Sequence, residues 1–267
     1  LPWATTFAIL ACIIAVGICA ILFSKEPRAI KSDTTSALED ATHHHVHKLA
    51  FLGPRLQKTL AWLFEAMVLP FIEFFQRIGL KDGLLVLGFI LLYKFGDQIL
   101  SLMQTPFFLE IGFSKSEIAG IKKIFGFNAI LVGSFLGGIV LAYFGFLKGL
   151  LVAGLLMAGS NLVFALQALI GPELWMLTVT VAVENITTGI GTVAFVAYLS
   201  HLCNVSYTAT QYALLTSLMG LSRVVMSSVS GVIADHTDWV NFFLITTVLA
   251  LPGLLLLLWI MRKPHLR

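Results

Sequence analysis

The sequence predicts an all-α polytopic membrane protein, and three observations carry that prediction. Of the 267 residues, 58% are hydrophobic and 12% charged, with a mean hydropathy of +0.93. A soluble domain is nearer half apolar and a quarter charged. Seven mostly apolar stretches run at roughly 3–23, 83–108, 117–143, 147–170, 174–202, 209–234 and 239–261, each long enough to cross hydrocarbon as a helix. Charges also recur inside these stretches. An ionised side chain costs about 2.5–3.5 kcal/mol or more at a bilayer centre, so each must face a bundle interior or a watery path.

The same composition excludes several classes. A net charge of +3 is too small to suggest nucleic acid as a partner. Cys12 and Cys19 lie two turns apart on one helix, about 10 Å, too far to bridge, and Cys203 has no obvious partner. There is no phosphate-binding loop, no zinc-ligand spacing and no nucleophile elbow. No enzymatic activity, cofactor or metal site is therefore expected.

Residues 1–23 read as one transmembrane helix. Leu1 is not an initiator and no basic segment precedes the first apolar run, so the chain is expected to begin within, or at the edge of, a membrane helix of a longer protein. Residues 24–82 form a connector. Its first part, SKEPRAIKSDTTSALEDATHHHVHK, has a composition that rarely orders. The histidines at 43–45 and 47 lack a cysteine or carboxylate at ligand spacing, which favours a solvated loop over a metal site. From about 49 to 79 the connector becomes apolar and aromatic, with Arg55, Lys58, Glu65, Glu73 and Arg77 interspersed. That pattern predicts an amphipathic helix at the membrane surface.

Residues 83–261 supply six closely spaced spans, and 262–267 a short tail. In the first of the six, Lys94, Asp97, Ser101 and Gln104 follow helical spacing and share a face. Lys94 and Asp97 either neutralise each other or line a cavity. In 117–143, Gly133 and Gly137 have the spacing that lets helix backbones approach; close packing and a hinge are both compatible with it. Ser160, Asn161 and Gln167 suit helix–helix hydrogen bonds.

The organising stretch is 174–235, two long helices joined by a polar turn around Asn204–Gln211. Glu184 sits in the first and Arg223 in the second, among Thr187, Thr188, Gly189, Gly191, Ser228 and Gly231. Side chains lean toward their own helix N-terminus, so Glu184 and Arg223 are expected to lean toward each other and pair, as a static brace or as a releasable lock. Lys and Arg concentrate in the connector, at Lys148 and in the tail. By the positive-inside rule, connector and C-terminus are cytoplasmic. Six helices with polar linings and no energy-converting domain point to secondary transport.

Here the residues resemble a known family. ENITTGIGTVAFVAYLSHLCNVSYTATQYALLTSLMGLSRV at 184–224, with PFIEFFQRIG at 70–79, LLYKFGDQILSLMQTPFFLEIGFSKSEIAGIKKIFG at 91–126, SNLVFAL at 160–166 and DWVNFF at 238–243, is similar to AmpG-type muropeptide permeases of the major facilitator superfamily. The superfamily's charged loop motif is degenerate, with Ala142 and Tyr143 in place of its charged pair. The resemblance implies a major-facilitator-type bundle, of which this chain supplies the sixth helix and the C-terminal six-helix half, the N-terminal half lying outside it. It also implies proton-driven import of anhydromuropeptides, glycopeptide-like products of cell-wall turnover, across the bacterial inner membrane.

Three readings are open at this stage: half of a proton-coupled muropeptide permease, a related facilitator for another bulky anion such as acetyl-CoA, and a transport-inactive fragment or assembly half. The candidate path residues are Asp97, Glu184, Arg223, Lys94, Lys123, Asn185, Thr188 and Gln104. Asp97 and Glu184, the carboxylates well inside the membrane, are candidates for proton coupling. Lys94 and Lys123 are candidates for binding substrate carboxylates, although Lys123 is close enough to the span's end to snorkel to the interface instead.

Overall fold

The computed structural model describes residues 3–24, 59, 64 and 67–266. Among these the chain is helical: α1 (Trp3–Phe23), α2 (Leu69–Ile78), α3 (Leu80–Leu92), α4 (Phe95–Glu110), α5 (Lys115–Ile121), α6 (Phe127–Ile170), α7 (Leu174–Leu202), α8 (Thr208–His236) and α9 (Trp239–Met261). The all-α class is as expected. The His43–His47 run and most of the 49–79 segment lie outside the described residues.

Six helical stretches are long and apolar enough to cross a membrane. One of them, Lys115–Ile170, makes two passes, because α6 reverses at Gly145, where the backbone has φ 73° and ψ 179°. A Cβ on Gly149 would meet the Leu141 side chain at 3.0 Å, whereas eight residues of straight helix would separate the two by about 12 Å. The two limbs are 127–144 and 146–170, and α5 with the π-helical turn Lys122–Gly126 leads into the first of them. Positive φ at this reversal strongly favours glycine.

The termini are set by local chemistry. Ser114 and Glu117 form a reciprocal capping box at α5, which satisfies two otherwise orphaned donors. Asp238 accepts from Asn241 N at the start of α9, and Gly171, with φ 92°, closes α6.

Helix α7 packs most closely along α6, and α9 crosses α6, α3 and α4, while α8 lies chiefly on α3 and α4. Small residues make the α6–α7 contact. A Cβ on Gly133 would stand 2.2 Å from Ile186 O, and one on Gly189 2.7 Å from Ile130 O. The expected small-residue spacing is thus a backbone-to-backbone contact. At each end of the bundle lies an apolar cluster. One centres on Val86, Phe89, Tyr93, Phe195, Tyr198, Leu254 and Leu257, the other on Phe107, Phe108, Phe164, Val181, Phe242 and Phe243.

Helix α2 is the described part of the expected surface helix, and it is docked rather than lying free. Glu73 is only 4% exposed. It accepts from Arg77 Nε at 2.9 Å, Asn204 Nδ2 at 2.7 Å and Gln211 Nε2 at 2.6 Å. Arg77 Nη2 also donates to Leu202 O at 2.7 Å. The polar turn between α7 and α8 is therefore a socket for α2. Glu73→Ala leaves these donors without their carboxylate, and its expected effect is a loss of about 2–3 kcal/mol in resistance to denaturant. Glu73→Gln, which keeps one acceptor, should lose less; an unchanged unfolding midpoint for the alanine variant would show that the network contributes nothing.

Candidate functional site

Between the two apolar clusters, several helices turn polar at one level. Asp97 falls between Tyr93 and Ile99, Glu184 between Val181 and Ile190, and Asn161 between Ala153 and Phe164, each flanked by one residue from either cluster. The polar layer is therefore at mid-depth.

Two backbone irregularities border it. Helices α3 and α4 are one membrane pass interrupted at Tyr93 and Lys94, and Lys94 has φ −99° and ψ 14°. The break is held by Tyr93, whose hydroxyl donates to Leu150 O at 2.8 Å and whose ring stacks on Phe195 at 5.1 Å. A Cβ on Gly96 would lie 2.3 Å from Thr246 O, so α4 starts in backbone contact with α9. Opposite, Lys122–Gly126 is a π-helical turn. Interrupted helices inside a membrane and π-turns both recur where transport proteins and other functional sites bind their ligands.

Four charges converge in this layer. The Lys94 ammonium donates to Thr192 Oγ1 at 3.0 Å and lies within electrostatic reach of Asp97. Asp97 stands in the first turn of α4, where the helix dipole favours a carboxylate. Glu184, 9% exposed, accepts from Asn185 Nδ2 at 2.8 Å and has Asp97 and Lys122 as charged neighbours. The Lys122 ammonium donates to Thr105 Oγ1 at 3.3 Å and sits 5.7 Å above the Phe108 ring. Two carboxylates thus share the layer with two ammoniums, a formally neutral set at mid-depth, where a lone charge would be costly. Gln104 and Thr188 also border Glu184 and direct their polar side chains at its carboxylate.

Of the expected residues, Lys94, Asp97, Gln104, Glu184, Asn185 and Thr188 are brought together. Two are not. Lys123 is exposed and takes no part in the cluster; its neighbour Lys122 does. Arg223 is exposed on α8 and forms no ion pair among the described residues. The expected Glu184–Arg223 pair does not form, because α8 packs on α3 and α4 rather than along α7. Lys122 was legible in principle. Gly126, whose Cβ position faces Asn185, shares a helix face with residue 122 one turn earlier.

The Major Facilitator Superfamily model matches residues 85–267. The chain belongs to the major facilitator superfamily. Among curated proteins it is similar to "Putative transporter AmpG 4" of Rickettsia felis, 31% identical over 261 residues, covering 98% of this chain and 57% of that protein. It is also similar to "Putative transporter AmpG 1" of Rickettsia prowazekii, 38% identical over 180 residues, covering 67% of this chain and 41% of that protein. An uncharacterized Haemophilus influenzae protein is 33% identical, covering 97% of this chain and 57% of its own length. Within the superfamily the chain groups with the AmpG-type members, and it spans about half the length of the curated relatives it matches. The expected class, a multi-pass membrane transporter rather than an enzyme, agrees with the facilitator model and the relatives' names.

Proposed function

We propose that this facilitator chain is the C-terminal half of a proton-coupled importer of anhydromuropeptide-type products in the bacterial inner membrane, with connector and tail on the cytoplasmic side. One observation carries the mechanism: a neutral set of two carboxylates and two ammoniums lies at mid-depth between two interrupted helical segments. A proton taken up by Asp97 or Glu184 leaves the set with excess positive charge. Lys94 or Lys122 is then free to bind a substrate carboxylate, so that proton and anion enter together. Gln104, Asn185 and Thr188 supply polar contacts beside it. The substrate's identity rests on the AmpG-type resemblance.

The sidedness rests on charge. Arg77 and Lys81 flank Gly79, Lys263 pairs with Asp82, and Lys148 and His201 border one groove with Met261. These basic groups share one end of the bundle, which the positive-inside rule places in the cytoplasm.

The test is uptake of labelled anhydromuropeptide by right-side-out membrane vesicles carrying this chain joined to an N-terminal facilitator half. Accumulation is expected under an inward proton gradient, and Lys122→Gln, compared at equal membrane abundance, is expected to weaken substrate binding. Competition by acetyl-CoA but not by muropeptide would transfer the assignment to the second cargo, which the two ammoniums would also suit. No uptake of either in the joined protein would leave the inactive-fragment reading.

A further inference from the structure

At the bundle end shared by Met261 and the reversal of α6 lies a groove of about 390 Å³, separate from the charged layer. Its walls are apolar, formed by Phe144, Phe146, Leu147, Met261 and Leu266, and its polar lining consists of Lys148, His201 and Tyr198. Among the described residues, no carboxylate lines it. Lys148 and His201 are both exposed and come from different elements. The His201 ring is stacked on Phe146, with centroids 4.8 Å apart and planes at 14°, so its position is fixed. Tyr198, one helical turn earlier on α7, is 1% exposed, and its hydroxyl is buried without a hydrogen-bond partner. Beside the groove Tyr143 is 85% and Phe144 52% exposed, the aromatic presentation expected where a helix end meets the headgroup region.

We propose that this groove binds the phosphodiester headgroup of an anionic phospholipid. Two cationic or donor groups, Lys148 and His201, line one groove with an apolar floor at the end of membrane-spanning helices. A soluble anion would use the first feature and gain nothing from the second. A phospholipid uses both: its phosphate sits between Lys148 and His201, and its chains descend along Phe144 and Leu147. Basic clefts between helix ends commonly recognise lipid headgroups in this way. The Tyr198 hydroxyl, at the back of the groove, would gain an acceptor from the bound headgroup.

The test is native mass spectrometry of the full chain in detergent, titrated with phosphatidylglycerol, with phosphatidylcholine and with inorganic phosphate. Phosphatidylglycerol is expected to bind at least about fivefold more tightly than phosphatidylcholine, the scale of one interfacial cation. Lys148→Gln combined with His201→Asn is expected to abolish that preference, and Lys148→Arg to retain it. Both positions are exposed, and retained helicity by circular dichroism checks the fold. Equal binding of the two lipids, an unchanged preference in the double variant, or displacement of phosphatidylglycerol by millimolar inorganic phosphate would each overturn the proposal.

Discussion

Glu184→Gln, in a complete transporter containing this chain, is expected to abolish proton-driven accumulation, lowering it by about 100-fold or more, a loss of ~2.7 kcal/mol in coupling. The variant deletes one carboxylate from a set in which two carboxylates face Lys94 and Lys122. The remaining charges then carry an excess ammonium whether or not a proton is present, so proton binding no longer controls anion binding. An uncompensated charge in such a layer also costs about 3–5 kcal/mol, and poor folding could mimic lost coupling. The double variant Glu184→Gln with Lys122→Gln separates the two effects. It restores neutrality, so abundance should recover, while accumulation against a gradient stays absent. Asp97→Asn is expected to behave in the same way. Retention of pH-driven uptake by both single variants would remove the carboxylates from the mechanism.

Much of this site was legible because hydrocarbon penalises charge so heavily. Asp97, Glu184 and Lys94 stood out by type and depth alone, and periodicity placed Gln104 on the same face as Asp97. What periodicity could not supply was the departure from α-geometry. The π-turn at Lys122–Gly126 and the break at Tyr93–Lys94 alter which residues share a face, and the break is held by tertiary contacts. Tyr93 is fastened to Leu150 and Phe195, and Gly96 abuts α9 (the side chain that holds the break is thus one residue from the charge it exposes). The Glu184–Arg223 pairing failed for a related reason. Depth along two consecutive helices does not fix lateral position, which depends on the helix each one packs against, and α8 lies on α3 and α4. Glu73 illustrates the opposite error. Its charge suggested a water-facing side chain, yet three donors from Arg77 and the Asn204–Gln211 turn compensate its burial, and a sequence reading does not reveal contacts made over 130 residues of separation.

Gly133→Leu is expected to break the α6–α7 contact outright. At this position even a Cβ would lie 2.2 Å from Ile186 O and 2.8 Å from Ile186 Cα. The obstacle is backbone, which cannot rotate away as a side-chain tip can, so the helices must move apart by more than an ångström. That displacement would also pull Gly137 from Ile190 and Gly189 from the Ile130 carbonyl, contacts spaced along the same seam. Overpacking a well-fitted site costs about 1–3 kcal/mol, and parting a seam of several such contacts should cost more. The readout is the yield of monodisperse protein in detergent together with its denaturant midpoint, both expected to fall sharply. Gly138→Leu is the matched control. Nothing lies within 4 Å of its Cβ position, so the same added bulk five residues along the same helix should leave both quantities nearly unchanged. If the two leucine variants behave alike, the effect is one of helix propensity or lipid exposure and the backbone contact does not set stability. If only Gly133→Leu fails, the backbone contact along the α6–α7 seam sets stability.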